Sequence, residues 1–228
     1  MTPAITEYAT REALMQATAE RITRALGGAI AQRGAACAAL SGGATPVPAY
    51  RLHAGAKLDW PKVTFALVDE RFVPPDDAAS NEGLVRRELK PAFDGGARFI
   101  PMYAPHTLGE AGDAANALYA PLTFDIVLMG MGVDGHTASW FPGAAKLGEA
   151  LDMDNPRSVL SLTAPQAEGS PERLTLTRAA LTRASRLILL IAGEEKRARL
   201  EAALAGDWAP AAALFAPALP EPEILWAP

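Results

Sequence analysis

TFDIVLMGMGVDGHTASWFP, residues 123–142, is the stretch on which the reading of this chain turns. Its first half, Phe124 to Met129, is a run of apolar and β-branched residues bounded by Gly130 and Gly132, which predicts a buried strand. Its second half crowds Asp134, Gly135, His136, Thr137 and Ser139 into the loop that follows. In open α/β sheets ligands bind beyond the carboxyl ends of the strands, and imidazole is the side chain that titrates near neutral pH. A strand ending in glycines and a polar turn also makes an ordinary helix entry, with Asp134 or Thr137 as N-cap. The stretch alone therefore does not define a site.

The rest of the chain repeats the same rhythm. Glu7 to Ile30 places Leu14, Ile22, Leu26 and Ile30 at helical spacing, predicting an amphipathic helix packed on a sheet. A short apolar strand around Cys37 runs into Ser41-Gly42-Gly43-Ala44-Thr45-Pro46, with Pro46 suited to the first turn of a helix through Leu52. Val63 to Val68 is the next strand and ends in Asp69-Glu70-Arg71; Ser80 can cap a helix over Asn81 to Leu89. Further on, a short strand is expected over Arg98 to Met102 and an alanine-rich helix over Leu108 to Leu122. Extended segments follow at Ser158 to Thr163 and Pro171 to Thr177, then a helix over Arg178 to Ser185. The apolar strand Arg186 to Ala192 enters, through Gly193-Glu194-Glu195-Lys196, a helix to Leu204. Glu223-Ile224-Leu225-Trp226, in a proline-rich tail, reads as an edge strand. This alternation predicts an α/β fold with a largely parallel sheet flanked by helices, and no composition break divides residues 1–228 into more than one domain.

Composition narrows the function. Half of the 228 residues are hydrophobic and 21% are charged, as in a globular chain with a sizeable core. A net charge of −5 gives no nucleic-acid footprint, so an anion site must gather its cations locally. Cys37, the sole cysteine, lies in an apolar run and reads as a small buried hydrophobe. The N-terminal residues lack a secretory pattern and no apolar run is long enough to span a bilayer, so a cytoplasmic chain without a membrane partner is expected. His53, His106 and His136 are widely spaced, without an HxH or HExxH pattern, so no metal site is expected; His53 and His106 read as surface residues.

Several loops thus fall at strand ends. Ser41 to Thr45 can expose backbone N–H groups to an anion at a helix start, or can be a plain tight turn. Asp69-Glu70-Arg71 is either a solvated turn or part of a site. With Asp134 to Ser139, Arg173 and Lys196, these loops supply a glycine cradle, cations and one titratable base, suited to a small phosphorylated substrate with a reactive carbonyl or sugar carbon.

The residues Ser41-Gly42-Gly43-Ala44-Thr45-Pro46, Asp69-Glu70-Arg71-Phe72-Val73-Pro74 with Ser80-Asn81, and Gly130 to Pro142 resemble, in order and spacing, the signature segments of the 6-phosphogluconolactonase family. Pro171 to Thr175 and Gly193 to Lys196 resemble later segments. The resemblance implies the fold shared with glucosamine-6-phosphate deaminase and ribose-5-phosphate isomerase. It also implies hydrolysis of 6-phospho-D-glucono-1,5-lactone to 6-phosphogluconate with no metal or cofactor. Pro210-Ala211-Ala212-Ala213-Leu214 departs from the family pattern, having alanine where a serine is expected.

On this reading His136 is the general base and then the acid, Asp134 orients the loop or the imidazole, and Arg71 serves the phosphate or the carbonyl. Ser41, Gly42, Gly43, Thr45, Asp69, Arg173 and Lys196 line the substrate and phosphate site. The expected partner is a small sugar-phosphate lactone, with no nucleic acid, on a monomer or weak homodimer. Two alternatives differ in class. A deaminase or isomerase of the same fold would need an acid in the segment where Trp140-Phe141-Pro142 stands, and a non-catalytic sugar-phosphate sensor would not need His136, Asp134 and Arg71 together.

Overall fold

The computed structural model describes residues 3–228. Seven parallel strands form the main sheet in the order β1-β10-β9-β6-β2-β3-β5, and an antiparallel sheet of three, β4-β8-β7, stands beside it. Here β1 is Ile5–Glu7, β2 Ala36–Leu40, β3 Val63–Leu67, β4 Asp69–Arg71 and β5 Arg98–Phe99. The later strands are β6 Ile126–Gly130, β7 Val159–Thr163, β8 Glu172–Leu176, β9 Leu187–Ala192 and β10 Glu223–Ala227. The helices are α1 Arg11–Arg33, α2 Val47–Ala54, α3 Asn81–Glu88, α4 Lys90–Asp94, α5 Leu108–Tyr119, α6 Leu147–Leu151 and α7 Glu194–Leu204. The expected α/β fold with a largely parallel, helix-flanked sheet is the one observed.

The central strands are buried along almost their whole length, and both faces of a parallel sheet are covered by crossover helices. That burial is why β3, β6 and β9 read as continuous apolar runs. Helix α1 packs on α2, β2, β6 and β10, and α7 packs on β9. Thr10 caps α1, accepting from Ala13 N at 3.2 Å, and Gly34 ends it at φ 77°. Ser80 caps α3 as expected, accepting from Gly83 N at 3.1 Å.

The topology explains why the polar loops meet. The chain leaves β2 toward β3 on one side, whereas from β6 the next strand of the main sheet is β9 on the other, and β2 and β6 are themselves paired. Such a reversal of direction opens a crevice beyond the strand ends. Register keeps those ends level: Leu40 lies opposite Leu67, and Gly130 opposite Leu190.

Several expectations are corrected. The segment at Glu223 is an interior strand, paired on both sides by β1 and β9; the edge is the short β1, whose Glu7 the helical spacing assigns to the first helix. Local polarity and prolines suggested an edge, but placement within a sheet is a long-range property. Asp69–Arg71 is not a solvated turn: it forms β4 and pairs with β8. The segment after β8 is a 3-10 turn over Ala179–Arg183, not an α-helix.

His53, expected at the surface, is 1% exposed. Its Nδ1 lies 2.8 Å from Thr23 Oγ1, and Trp60 and Phe65 meet its ring edge-on at 5.4 and 6.1 Å. Burial pushes this imidazole down to about 4. The unfolded chain therefore binds a proton between about pH 6.5 and 4 that the folded chain refuses. The contribution is complete above pH 6.5 and is lost as pH falls through that window, on the order of 3 kcal/mol in all. His53→Asn should flatten the acid limb of stability against pH by close to one proton in denaturant titrations; an unchanged limb would refute the assignment.

Candidate active site

A cleft of about 510 Å³ opens beyond the strand ends and is lined by loops from β2, β4, β6, β8 and α7. Ser41, Gly42, Gly43, Thr45, Asp69, Arg71, Asp134, His136, Arg173 and Lys196 all face it. The structure thus brings together every residue that the sequence suggested, from positions more than 150 apart.

Buried aromatic side chains with one polar atom pin two of these loops. Tyr50 donates from its hydroxyl to Ser41 O at 2.6 Å, fixing the start of the glycine loop. Trp140, fully buried, donates from Nε1 to Leu176 O at 2.8 Å, fixing the histidine loop to β8. Among the described residues, the amides of Gly42, Gly43, Ala44 and Thr45 donate to no protein acceptor. They are free for an anion at the mouth of α2. Gly42 is required for a close approach, because a Cβ there would lie 1.8 Å from Asn81 Oδ1. Asn81 donates through Nδ2 to Asp69 O at 2.9 Å, so one amide side chain ties the β2 loop to β4.

Strand alternation settles Asp69-Glu70-Arg71. Asp69 and Arg71 line the cleft, whereas Glu70 is fully buried away from it. Glu70 accepts from Asn81 N and Glu82 N at 2.7 Å each, from Arg71 N at 2.7 Å and from Ser80 Oγ at 3.1 Å. It therefore anchors the first turn of α3, although burial pushes its carboxyl up to about 7 against those donors. Asp69 accepts from Ser139 Oγ at 2.7 Å, linking β4 to the histidine loop.

The imidazole of His136 is oriented within its own loop. His136 Nδ1 lies 2.6 Å from Asp134 Oδ1, which also accepts from His136 N at 3.0 Å. A carboxylate can only accept, so Nδ1 carries the proton of this bond, and in the neutral ring Nε2 is the nitrogen with the lone pair. Phe141 stacks on the imidazole with centroids 4.1 Å apart. The back of this loop rests on the tail: Ala211 N donates to Gly135 O at 2.9 Å. Ala211, in the segment where a serine is expected, thus makes its contact with this loop through the backbone, which no side chain need supply.

Cations face these groups. Burial lowers the basicity of Arg173, with Asp69 opposing and Arg71 adding; burial and then Arg11 lower that of Lys196, with Asp134 opposing. Arg173 donates to backbone carbonyls of Ser170 and Glu168, and Arg71 to that of Ala79. None of the ion pairs among the described residues involves Arg71, Arg173 or Lys196. Cations that converge without carboxylate partners form a site for an anion.

Phe141, Gln166 and Glu168 line the cleft but are not singled out as site residues by the sequence. Phe141 belongs to the quoted stretch, where it is one of several apolar residues with nothing to prefer it. Gln166 and Glu168 reach the cleft only through the turn between β7 and β8 and carry no local signal. Among the described residues no group of three or more His, Cys, Asp or Glu side chains could hold a metal, and no helix is long and apolar enough to cross a membrane.

A family model described as glucosamine-6-phosphate isomerases/6-phosphogluconolactonase matches residues 9–226. A 6-phosphogluconolactonase of Rhizobium meliloti is 44% identical over 225 residues, covering 95% of each chain. One of Caulobacter vibrioides is 41% identical over 227 residues, covering 96% of this chain and 95% of the relative. A crystal structure of a 6-phosphogluconolactonase from Shewanella baltica superposes with a TM-score of 0.91 at 32% identity, covering 99% of this chain and 97% of that one. With that match over nearly its whole length, the chain belongs to the glucosamine-6-phosphate isomerase/6-phosphogluconolactonase family.

Proposed function

We propose that the chain is a lactone hydrolase that converts 6-phospho-D-glucono-1,5-lactone to 6-phosphogluconate in the oxidative pentose phosphate pathway. The observation that carries this reading is the pairing, across one cleft, of cations outside any ion pair and free amides with a carboxylate-oriented histidine. The high-coverage relatives that bear the lactonase name support the substrate.

Phosphate is held by the amides of Gly42, Gly43 and Thr45 together with Arg173 and Lys196, since backbone donors and a guanidinium fork both match its oxygens. His136 Nε2 takes a proton from water as the water oxygen bonds to the lactone carbonyl carbon. Arg71 or free loop amides stabilise the resulting oxyanion. As the tetrahedral centre collapses, the bond to the ring oxygen breaks and the imidazolium returns the proton to that oxygen. The acid product then ionises, releasing one proton. Asp134 keeps Nδ1 protonated throughout. The partner is a small molecule, without nucleic acid or membrane, and the chain works as a monomer or weak homodimer in the cytoplasm.

Proton release from freshly generated 6-phosphogluconolactone tests this, measured against spontaneous hydrolysis. Wild-type protein should accelerate it; a rate equal to the uncatalysed one would overturn the proposal. Lys196→Ala should raise KM by about 10- to 100-fold with kcat little changed, the loss expected for one hydrogen bond to a charged group. A fall confined to kcat would remove Lys196 from the phosphate site.

A further inference from the structure

Phe141 lines the cleft without a place in the chemistry above. It is 6% exposed and packs with Ala144, Leu162 and Ala164. Its ring lies against the His136 imidazole, with centroids 4.1 Å apart and planes 28° from parallel, and Arg173 Cζ is 5.4 Å from the same centroid. The bond from Nδ1 to Asp134 fixes one atom of the imidazole. Both partners of that bond are on one loop and partly exposed, and the terminal torsion of histidine is broad. One hydrogen bond therefore leaves the plane of the ring free to tilt. A flat surface against the imidazole face removes that freedom.

We propose that Phe141 is a positioning residue, whose ring holds the His136 plane so that Nε2 is aimed at the attacking water. This inference rests on the lactonase reading. The same ring also sets the spacing between the base and Arg173, and hence between the carbonyl and phosphate ends of a bound substrate. Catalytic groups act efficiently only when held within a fraction of an ångström, and small misplacements are costly in rate.

The test compares wild type, Phe141→Leu, Phe141→Met and Phe141→Tyr in the lactone assay, with thermal unfolding and proton NMR of the His136 ring. Leu and Met keep apolar bulk without a flat face, whereas Tyr keeps the face. Leu and Met should lower kcat by about 10- to 100-fold, with a smaller change in KM, and Tyr should restore most of it. The His136 ring protons, displaced upfield by the stacked ring, should move back in Leu and Met but not in Tyr. Wild-type kcat in a folded Leu or Met variant would overturn the proposal, as would a loss that Tyr does not repair. Absence of wild-type acceleration would instead refute the lactonase reading, and the resonances would still report whether the stack holds the ring.

Discussion

His136→Ala should lower kcat for the lactone by about 10²- to 10⁴-fold, the usual worth of a general acid–base group, and leave KM nearly unchanged. The residue is only partly buried, its Nδ1 bond is within its own loop and its ring packs on Phe141, so little of the core depends on it. The variant should therefore unfold at close to the wild-type temperature. Steady-state kinetics corrected for spontaneous hydrolysis, beside a thermal scan, make the comparison. A variant that retains kcat and loses affinity would assign His136 to binding and send the search for the base to Asp69 or Asp134.

The second large effect is expected from Gly132→Ala. A Cβ at this position would lie 2.3 Å from both Cε1 and Nδ1 of His136 and 2.7 Å from Asp134 Oδ1. The backbone at Gly132 is not in the left-handed region, so alanine is allowed there by the main chain. The clash is with the ends of movable side chains. Those can swing toward the cleft at little cost in stability, but doing so breaks the bond that orients the His136 imidazole. We expect a fall in kcat of about 10²-fold, the penalty of a misplaced catalytic group, with unfolding shifted by less than about 1 kcal/mol. Gly132→Ala combined with His136→Ala should then cost little more than His136→Ala alone, because both remove one function. Additive losses would show that Gly132 acts elsewhere, for instance through its amide.

Both results depend on features legible to different degrees in the chain itself. The apolar runs Val63 to Val68, Phe124 to Met129 and Arg186 to Ala192 announced the central strands, because a strand buried on both faces has no polar alternation to disguise it. Glycines and short polar residues after those runs marked the loops, since only such residues suit sharp turns beside a ligand. That the cradle at Ser41, the pair at Asp69 and Arg71, and the loop at His136 would share one cleft followed from their common place at strand ends.

Other features were invisible locally. The interior place of β10, the capture of Glu70 by the first turn of α3, and the burial of His53 between α1, Trp60 and Phe65 each depend on elements distant in sequence. A polar or proline-rich neighbourhood describes a residue's flanks and says nothing of what packs over it. The sequence by itself determined the kind of fold, the sites of the turns and the chemical groups delivered to them, because hydrophobic period and turn stereochemistry are short-range. Only the tertiary structure decided which of those groups face one another: Asp134 on His136, Phe141 on the same imidazole, Asn81 beneath Gly42, and Arg173 on the backbone carbonyls of Ser170 and Glu168. Contacts of that kind arise from strand order and register, which are set by the closing of the whole core.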